Sequence, residues 1–321
     1  MNSQAPHRRS AVLLMGPTGS GKSDLAIRLT EKFPLEIISV DSALVYREMD
    51  IGTAKPDKGT RARTPHHLID IRDPAGSYSV GEFIHDARCA MDDIWSRGRQ
   101  PLLVGGTMMY FHALTSGIAE LPESNPEVRA EIDASAAALG WAAVHRALAE
   151  VDPQAATRIH INDPQRIQRA LEVYRITGET ITKLQHERVS VFTDVNLIEI
   201  ALAPLERSKL HTKIELRFKA MLDAGFVEEV RNLYERGDLS PEHPSMRAVG
   251  YRQIWRYLAG ASGFDEATQE AIAATRQLAK RQMTWLRRRA AAQWFDSMRP
   301  DVARLIFDAL SESGFANGSS L

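Results

Sequence analysis

Cysteine is almost absent from this sequence: Cys89 is the single one in 321 residues. A lone thiol excludes an intramolecular disulfide framework and a cysteine-rich metal site, and it fits a reducing compartment, so a cytoplasmic protein is expected. Long apolar runs are missing too. Arg8 and Arg9 precede one, but Gly16 and Pro17 close it after Met15, too soon for a signal-peptide core or a membrane span, and no membrane partner is expected. Neither sign of charge dominates. Forty basic against 41 acidic residues leave a net charge of -1, so attraction to nucleic acid must come from local clusters. No repeat or low-complexity tract is present, and the tail beyond Leu310, rich in Ser, Gly and Asn, is expected to fray.

What is present is an ordinary globular composition, 44% hydrophobic, with length for about two domains at the usual ~150 residues each. Its most distinctive stretch is Gly16-Pro17-Thr18-Gly19-Ser20-Gly21-Lys22-Ser23, which follows the apolar run Ala11–Met15 and satisfies the phosphate-loop pattern G-x-x-x-x-G-K-[ST]. The glycines let successive backbone N–H groups converge on phosphate oxygens, and the helix that follows presents its positive end there. Lys22 adds a cation, and the Ser23 hydroxyl can reach Mg²⁺. A di- or triphosphate ligand is expected; the loop does not say whether a nucleotide carries it. A Rossmann dinucleotide site is excluded, because Asp24 stands where the third glycine is required.

The first third of the chain alternates between periodicities. Residues 11–15 read as a strand, Lys22 to about Lys32 as a helix, Ile37–Val40 as a strand ending at Asp41, roughly 80–97 as a helix, and Pro101–Val104 as a strand stopped by Gly105-Gly106-Thr107. Such alternation predicts an α/β fold with a doubly wound parallel sheet. Ligands bind beyond the carboxyl ends of such strands, where the phosphate loop, Asp41 and Thr107 all fall. From Leu121-Pro122-Glu123-Ser124-Asn125-Pro126 onward the pattern is helical until Val195–Ile200 reads as a strand again. The chain is therefore expected to form a P-loop catalytic core from residues 1–123 and 194–321, interrupted by an inserted all-helical domain at 124–193. Helices from 205 to 291 are expected to cover the sheet and the substrate.

Several side chains carry chemistry on two readings. Asp41 can hold Mg²⁺ through water, accept a proton from a nucleophile, or merely cap a turn. Thr18 and Thr107 can contact phosphate or bond local backbone. Arg217, amid Glu215, Lys219 and Asp223, reads by default as part of a solvated helix face. His66-His67 is a weak metal signal, more often a loop or packing feature. The strand at 102–104 ends in glycines where many ATPases carry a magnesium-holding Asp, which weakens an ATPase reading. A small-molecule or nucleotide kinase would use the same loop with ATP, but no Arg-rich lid is evident. A guanine-nucleotide switch would need an Asn-Lys-x-Asp segment, and none is present.

Local charge is most lopsided between Glu270 and Asp296, where Arg276, Lys280, Arg281, Arg287, Arg288 and Arg289 surround Trp285 without an acidic residue. That suits a phosphate backbone with a stacking aromatic alongside; the bland alternative is a solvated face. Arg158, Arg166, Arg169 and Arg175 form a weaker set, diluted by Asp163 and Glu172.

Taken in order, Gly16–Ser23, Asp41–Tyr46, Met49–Pro56, His66–Asp70, Gly105–Thr107, Asp163–Arg166, Val249–Arg252 and Lys280–Arg287 resemble the bacterial tRNA dimethylallyltransferases, the tRNA isopentenyltransferase family. The likeness runs from about residue 11 to 290, and the ordered set is specific where single motifs are weak. It implies an enzyme that passes a prenyl group from dimethylallyl diphosphate to the exocyclic amine of the adenosine just 3′ of a tRNA anticodon, without consuming ATP.

By the same resemblance, the phosphate loop Gly16, Pro17, Thr18, Gly19, Ser20, Gly21, Lys22 and Ser23 holds the diphosphate, with Ser23 on Mg²⁺. Asp41 is the base, and Thr18, Lys22 and Arg217 stabilise the leaving group. Ser42, Ala43 and Leu44 after Asp41 line the pocket for a flipped-out base. Thr107, Arg129, Gln165, Arg166, Ile167, Gln168 and Arg169 face tRNA, as do Arg247, Ala248, Val249, Gly250, Tyr251 and Arg252. So do Lys280, Arg281, Gln282, Met283, Thr284, Trp285, Leu286 and Arg287, with the anticodon stem-loop as the partner. Gly19 stands where many bacterial members have Ala. A monomer is the default expectation.

Overall fold

In the computed structural model, residues 9–187 and 192–313 are described. The chain divides into two compact units, Met1–His112 with Thr193–Leu321, and Ala113–Phe192. The larger unit is built on one six-stranded parallel sheet. Its N-terminal half contributes β1 (Ser10–Met15), α1 (Lys22–Lys32), β2 (Leu35–Val40), α2 (Lys58–Arg63), β3 (His66–His67), α3 (Val80–Ser96), β4 (Gln100–Gly105) and the start of α4 (Met108–Ser116). The helical unit follows with α5 (Pro126–Leu139), α6 (Trp141–Val151), α7 (Pro153–Arg158), α8 (Pro164–Thr177) and α9 (Ile181–His186). The chain then returns with β5 (Asn196–Ala203), α10 (Arg207–Asp223), α11 (Phe226–Glu235), α12 (Tyr251–Leu258), α13 (Phe264–Leu286), β6 (Gln293–Asp296) and α14 (Val302–Glu312).

Strand order is β3-β2-β4-β1-β5-β6, every pair parallel. Strands β1, β2 and β4 are buried almost end to end because both their faces are covered, which is the pattern of a parallel sheet clad in helices, and β2 buries Glu36 and Ser39 along with its apolar residues. One face packs Leu25, Leu29 and Phe33 of α1 and the inner side of α14 against Val12, Leu14, Leu102 and Ile200. Phe218, Phe226, Val230, Met246, Tyr251 and Ile254 form a second core with Val45, Tyr46 and Met49, the segment that follows β2. In the strand order the connection leaving β1 runs past β4 to β2, whereas the chain leaving β4 returns past β1 to β5. Neighbouring β1 and β4 thus send their chains in opposite directions, and a crevice opens between their carboxyl ends.

Helices α2 and α4 and three further elements, β3, β6 and α14, lie beyond the periodicity reading. Strand β3 is two residues long, too short to show alternation. Strand β6 is partly exposed on the sheet edge and lacks an apolar run. Helix α14 follows Pro300 and reaches Glu312, so helical cover of the sheet extends past 291 and the helix itself past Leu310; the Ser/Gly/Asn-rich tail from 314 to 321, where fraying was expected, lies outside the described residues. In the helical unit, Asn125, Asp152, Asp163 and Thr180 each cap a helix through their side chains, and proline opens three of those helices. Ile132, Leu148, Ile167, Leu171 and Val173 form its core.

Candidate active site

The loop after β1 bends back over the sheet because two of its glycines, Gly19 (φ 79) and Gly21 (φ 86), occupy left-handed backbone. A Cβ on Gly16 would run into the carbonyl oxygen of Leu202 on β5. Lys22 folds under the loop, its Nζ donating to Pro17 O at 2.8 Å and reaching Ser20 Oγ at 3.5 Å. Burial of that ammonium pushes its pKa down to about 7; the Asp41 carboxylate opposes the shift and Arg217 adds to it. The residue as a whole keeps some exposure, so it is the charged tip that is desolvated, at the floor of a cavity of about 800 Å³.

That cavity lies wholly in the larger unit. Its walls include Thr18, Ser23, Asp41 and Arg217, together with apolar Leu44, Ile51 and Met221. Asp41 directly follows β2 and accepts the backbone N–H of Ala43 (2.8 Å) and Leu44 (3.3 Å) through Oδ1. The turn capping considered from sequence is therefore real, and it uses one oxygen; Oδ2 has no hydrogen-bond partner among the described residues. Arg217 on α10 lines the cavity while keeping exposed surface, its Nη2 3.5 Å from Thr53 O, and desolvation of its guanidinium lowers its pKa although Asp41 and Asp24 hold the charge in place. Arg217 is thus exposed, as the default reading of a solvated helix face has it, and is also part of the cavity wall, which that reading did not include. Thr107 accepts the Ser42 N–H at 3.1 Å, so its hydroxyl braces the turn after Asp41.

The wall made by Asp50–Pro56 is braced by groups that sequence reasoning missed. Glu229 accepts three consecutive backbone amides, those of Asp50 (2.9 Å), Ile51 (2.6 Å) and Gly52 (3.0 Å), and the Tyr251 hydroxyl at 2.5 Å. Lys55, with a side chain 1% exposed, donates to Tyr46 O (2.8 Å), Asp50 Oδ1 (2.7 Å) and Asp70 Oδ1 (2.5 Å). Non-glycine residues Glu48, Ala54, Leu68 and Asp70 all take positive φ in this stretch, a concentration of strain of the kind found beside functional sites. Motifs at 49–56 and 66–70 carry the outward sign of this brace, but Glu229 lies so far along the chain that no local pattern points to it.

His66 and His67 are packing residues. His66 Nδ1 sits 2.7 Å from Thr64 O and His67 Nε2 3.0 Å from Glu36 Oε2. Among the described residues no group of three or more His, Cys, Asp or Glu side chains is placed to hold a metal ion.

The segments expected to face tRNA split by burial. On α13, Lys280, Arg281, Thr284 and Trp285 are exposed, as is Arg287 just after it, whereas Leu286 has no exposed surface and Gln282 turns inward. Near α12, Arg247 and Arg252 are exposed, but Gly250 is buried and Tyr251 is sealed in the core against Phe226. On α8, Gln165 and Arg166 are exposed and Ile167 is fully buried. Side chains without exposed surface cannot touch RNA, so Ile167, Tyr251 and Leu286 are corrected to structural supports of their segments, while Gln282, 9% exposed, borders the cavity. Arg129 and Arg169 are half-exposed but engaged: both bind the carboxylate of Glu172, which has no exposed surface. Burial raises the Glu172 pKa, yet the two guanidiniums and the Asn125 N–H outweigh it and hold the group below the usual carboxylate value.

A phosphate loop, a carboxylate with one free oxygen and an arginine around one cavity, on a doubly wound parallel sheet, define a phosphate-loop protein of the group-transferring kind. Residues 44–289 match the model of the IPP transferase family. The chain is 57% identical over 294 residues to the tRNA dimethylallyltransferase of Nitrosococcus oceani, covering 92% of this chain and 94% of that protein. Among solved structures it resembles the full-length tRNA isopentenylpyrophosphate transferase of Bacillus halodurans (TM-score 0.68, 35% identity, 95% of this chain and 98% of that one). It also resembles a eukaryotic dimethylallyltransferase captured acting on tRNA (TM-score 0.79, 26% identity, 97% of this chain and 81% of that one). This chain belongs to the IPP transferase family.

Proposed function

We propose that the chain transfers the dimethylallyl group of dimethylallyl diphosphate to the exocyclic N6 amine of the adenosine 3′-adjacent to the anticodon in tRNA, releasing diphosphate. One observation of the site carries the reading: the loop that cradles a diphosphate and a carboxylate with an unengaged oxygen open onto the same cavity. Adenine's amine is a poor nucleophile, so the barrier falls through stabilisation of the leaving group and removal of the amine proton. The nitrogen attacks the allylic carbon, the carbon–oxygen bond breaks, its electron pair leaves on the diphosphate, and Asp41 Oδ2 takes the proton. Lys22, Arg217, the Thr18 hydroxyl and the backbone N–H groups of Gly19, Gly21, Lys22 and Ser23 stabilise the departing charge. Holding both substrates in line can supply roughly 7–11 kcal/mol of the barrier reduction.

Magnesium fits the donor set as a partner of the substrate. It takes oxygen ligands, keeps several waters, and is commonly held by one or two side chains plus phosphates. Ser23 is the proposed protein ligand, and the charge of the metal would assist the leaving group. The anticodon stem-loop is the proposed RNA partner. Exposed Arg247, Arg252, Lys280, Arg281, Thr284, Trp285 and Arg287 are the proposed contacts in the larger unit, with Met283, Ala248 and Val249 beside them. Gln165, Arg166 and Gln168 are those proposed in the helical unit, and Arg129 and Arg169 can reach phosphate only beside their ion pair. Ser42, Ala43, Leu44 and Thr107 would frame the extruded base. Among the described residues no helix is long and apolar enough to cross a membrane; we place the enzyme in the cytoplasm as a monomer.

Incubation with labelled dimethylallyl diphosphate and unmodified tRNA tests the reading directly. Label is expected in an N6-substituted adenosine of the nucleoside digest. ATP turnover without any prenyl transfer would instead make the chain a kinase.

A further inference from the structure

We propose that Gln282 is a positioning residue through which helix α13 holds the phosphate loop, so that RNA on the outer face of this helix and diphosphate in the loop strengthen one another's binding. The inference rests on the proposed transfer reaction for its two ligands, and on the geometry below for the link between them.

Gln282 is 9% exposed and spans the crevice between β1 and β4. Its Oε1 accepts the backbone N–H of Thr18 at 2.9 Å, and its Nε2 donates to the carbonyl oxygen of Gly106 at 2.9 Å. Both ends of the carboxamide are thereby used, one on the loop after β1 and the other on the loop after β4. Glycine at 106 is what admits it, since a Cβ there would run into Gln282 Nε2. A glutamine buried by chance would satisfy itself on one neighbour; this one ties together the two strand ends where the topology opens the site.

A second contact from the same helix reaches the same loop. Ala279, three residues before Gln282, is buried with Leu210 and Ile214 of α10, and those two side chains lie against Gly19, 3.4 and 3.5 Å from where its Cβ would stand. One further turn along α10 is Arg217. The inner side of α13 therefore fixes the loop at Thr18 directly and at Gly19 through α10. Its outer side, beginning with the residue adjacent to Gln282 in the chain, presents exposed Arg281, Lys280, Thr284 and Trp285, with Arg287 just after it. A helix is rigid over one turn, so a load on Arg281 is carried to the Thr18 amide within a single residue step.

Coupling of this kind is reciprocal, so each ligand raises the affinity for the other by the same factor. The test is isothermal calorimetry of inorganic pyrophosphate on the full chain, with and without an unmodified anticodon stem-loop, for the wild type, Gln282→Met and Gln282→Glu. Methionine keeps the volume and forms neither hydrogen bond; glutamate keeps the acceptor for Thr18 and lacks the donor to Gly106. RNA is expected to tighten pyrophosphate binding to the wild type, and Gln282→Met to weaken pyrophosphate alone by about tenfold for the removal of two bonds of ordinary strength. Its RNA-dependent gain should vanish while affinity for the stem-loop alone stays within twofold. Gln282→Glu should keep part of that gain. If Gln282→Met does not fold, as judged by thermal unfolding, Gln282→Glu decides alone: a gain equal to that of the wild type overturns the proposal. So does an unchanged gain in Gln282→Met. Failure of the transfer reaction in the wild type would overturn the function, a separate result from loss of the coupling.

Discussion

Asp41 Oδ1 accepts the backbone N–H of Ala43 at 2.8 Å, which fixes the carboxylate by one oxygen and leaves the other without a hydrogen-bond partner among the described residues, in a residue that lines the cavity. Asparagine can keep that acceptor through its carbonyl oxygen but cannot take a proton. Asp41→Asn is therefore expected to bind pyrophosphate normally while prenyl transfer falls by about 10²–10⁴. Single-turnover transfer beside pyrophosphate titration checks this, and undiminished transfer removes Asp41 from the proton step.

Lys22 supplies the pH dependence. Its pKa in the empty loop is lowered to about 7, and a bound diphosphate must raise it, because an anion favours the ammonium. Above pH 7 binding therefore takes up a proton, and affinity should decline as pH rises from 7 to 9, by at most about tenfold per pH unit. Lys22→Arg stays charged throughout this range, so the difference between the two pH profiles isolates the lysine. Parallel profiles would mean that Lys22 is already protonated in the empty enzyme.

The exposed charges of α13 lead to a prediction about salt. Arg281→Ala with Arg287→Ala should weaken binding of the anticodon stem-loop and reduce the slope of log K against log salt by about 0.7–0.9 for each phosphate that the double variant no longer neutralises. Pyrophosphate affinity in the absence of RNA should be unchanged. Filter binding across a salt series measures both quantities, and an unaltered slope places the RNA elsewhere.

Glu172 anchors the helical unit by accepting Arg129, Arg169 and the Asn125 N–H at 2.7–3.1 Å. Glu172→Ala would leave two guanidiniums facing a cavity without a counter-charge. Because both arginines keep some exposure, the cost should be about 2–4 kcal/mol, below that of a fully enclosed pair. Chemical denaturation reads it out; a loss near zero would free Arg129 and Arg169 for a different role.

Much of this arrangement is legible in the amino-acid sequence. Gly16–Ser23 announces its loop because phosphate recognition there is built from backbone and needs glycine at fixed intervals, so the chemistry is written locally. Strands β1, β2 and β4 are readable because burial on both faces leaves a short apolar core in each, Ala11–Met15, Ile37-Ile38 and Leu102–Val104. Arg217 could not be distinguished from its charged neighbours, since a helix face open to solvent and one open to a cavity have the same composition. Gln282 and Glu229 were invisible as supports for a related reason: their partners stand 264 and about 178 positions away, and no short pattern records such a contact. Side chains such as Tyr251 and Leu286 sit within segments of charged neighbours and took on their expected role, although the helical period turns them inward.

Strand β1 is flanked by β4 on one side and by β5 on the other, and the whole helical unit is translated before β5 is. During synthesis the phosphate loop thus emerges first but stays half-walled until some 180 further residues have left the ribosome. A nascent chain arrested before Asn196 should accordingly carry a folded helical unit and no competent anion cradle, which makes the last strands the step that commits the enzyme to activity.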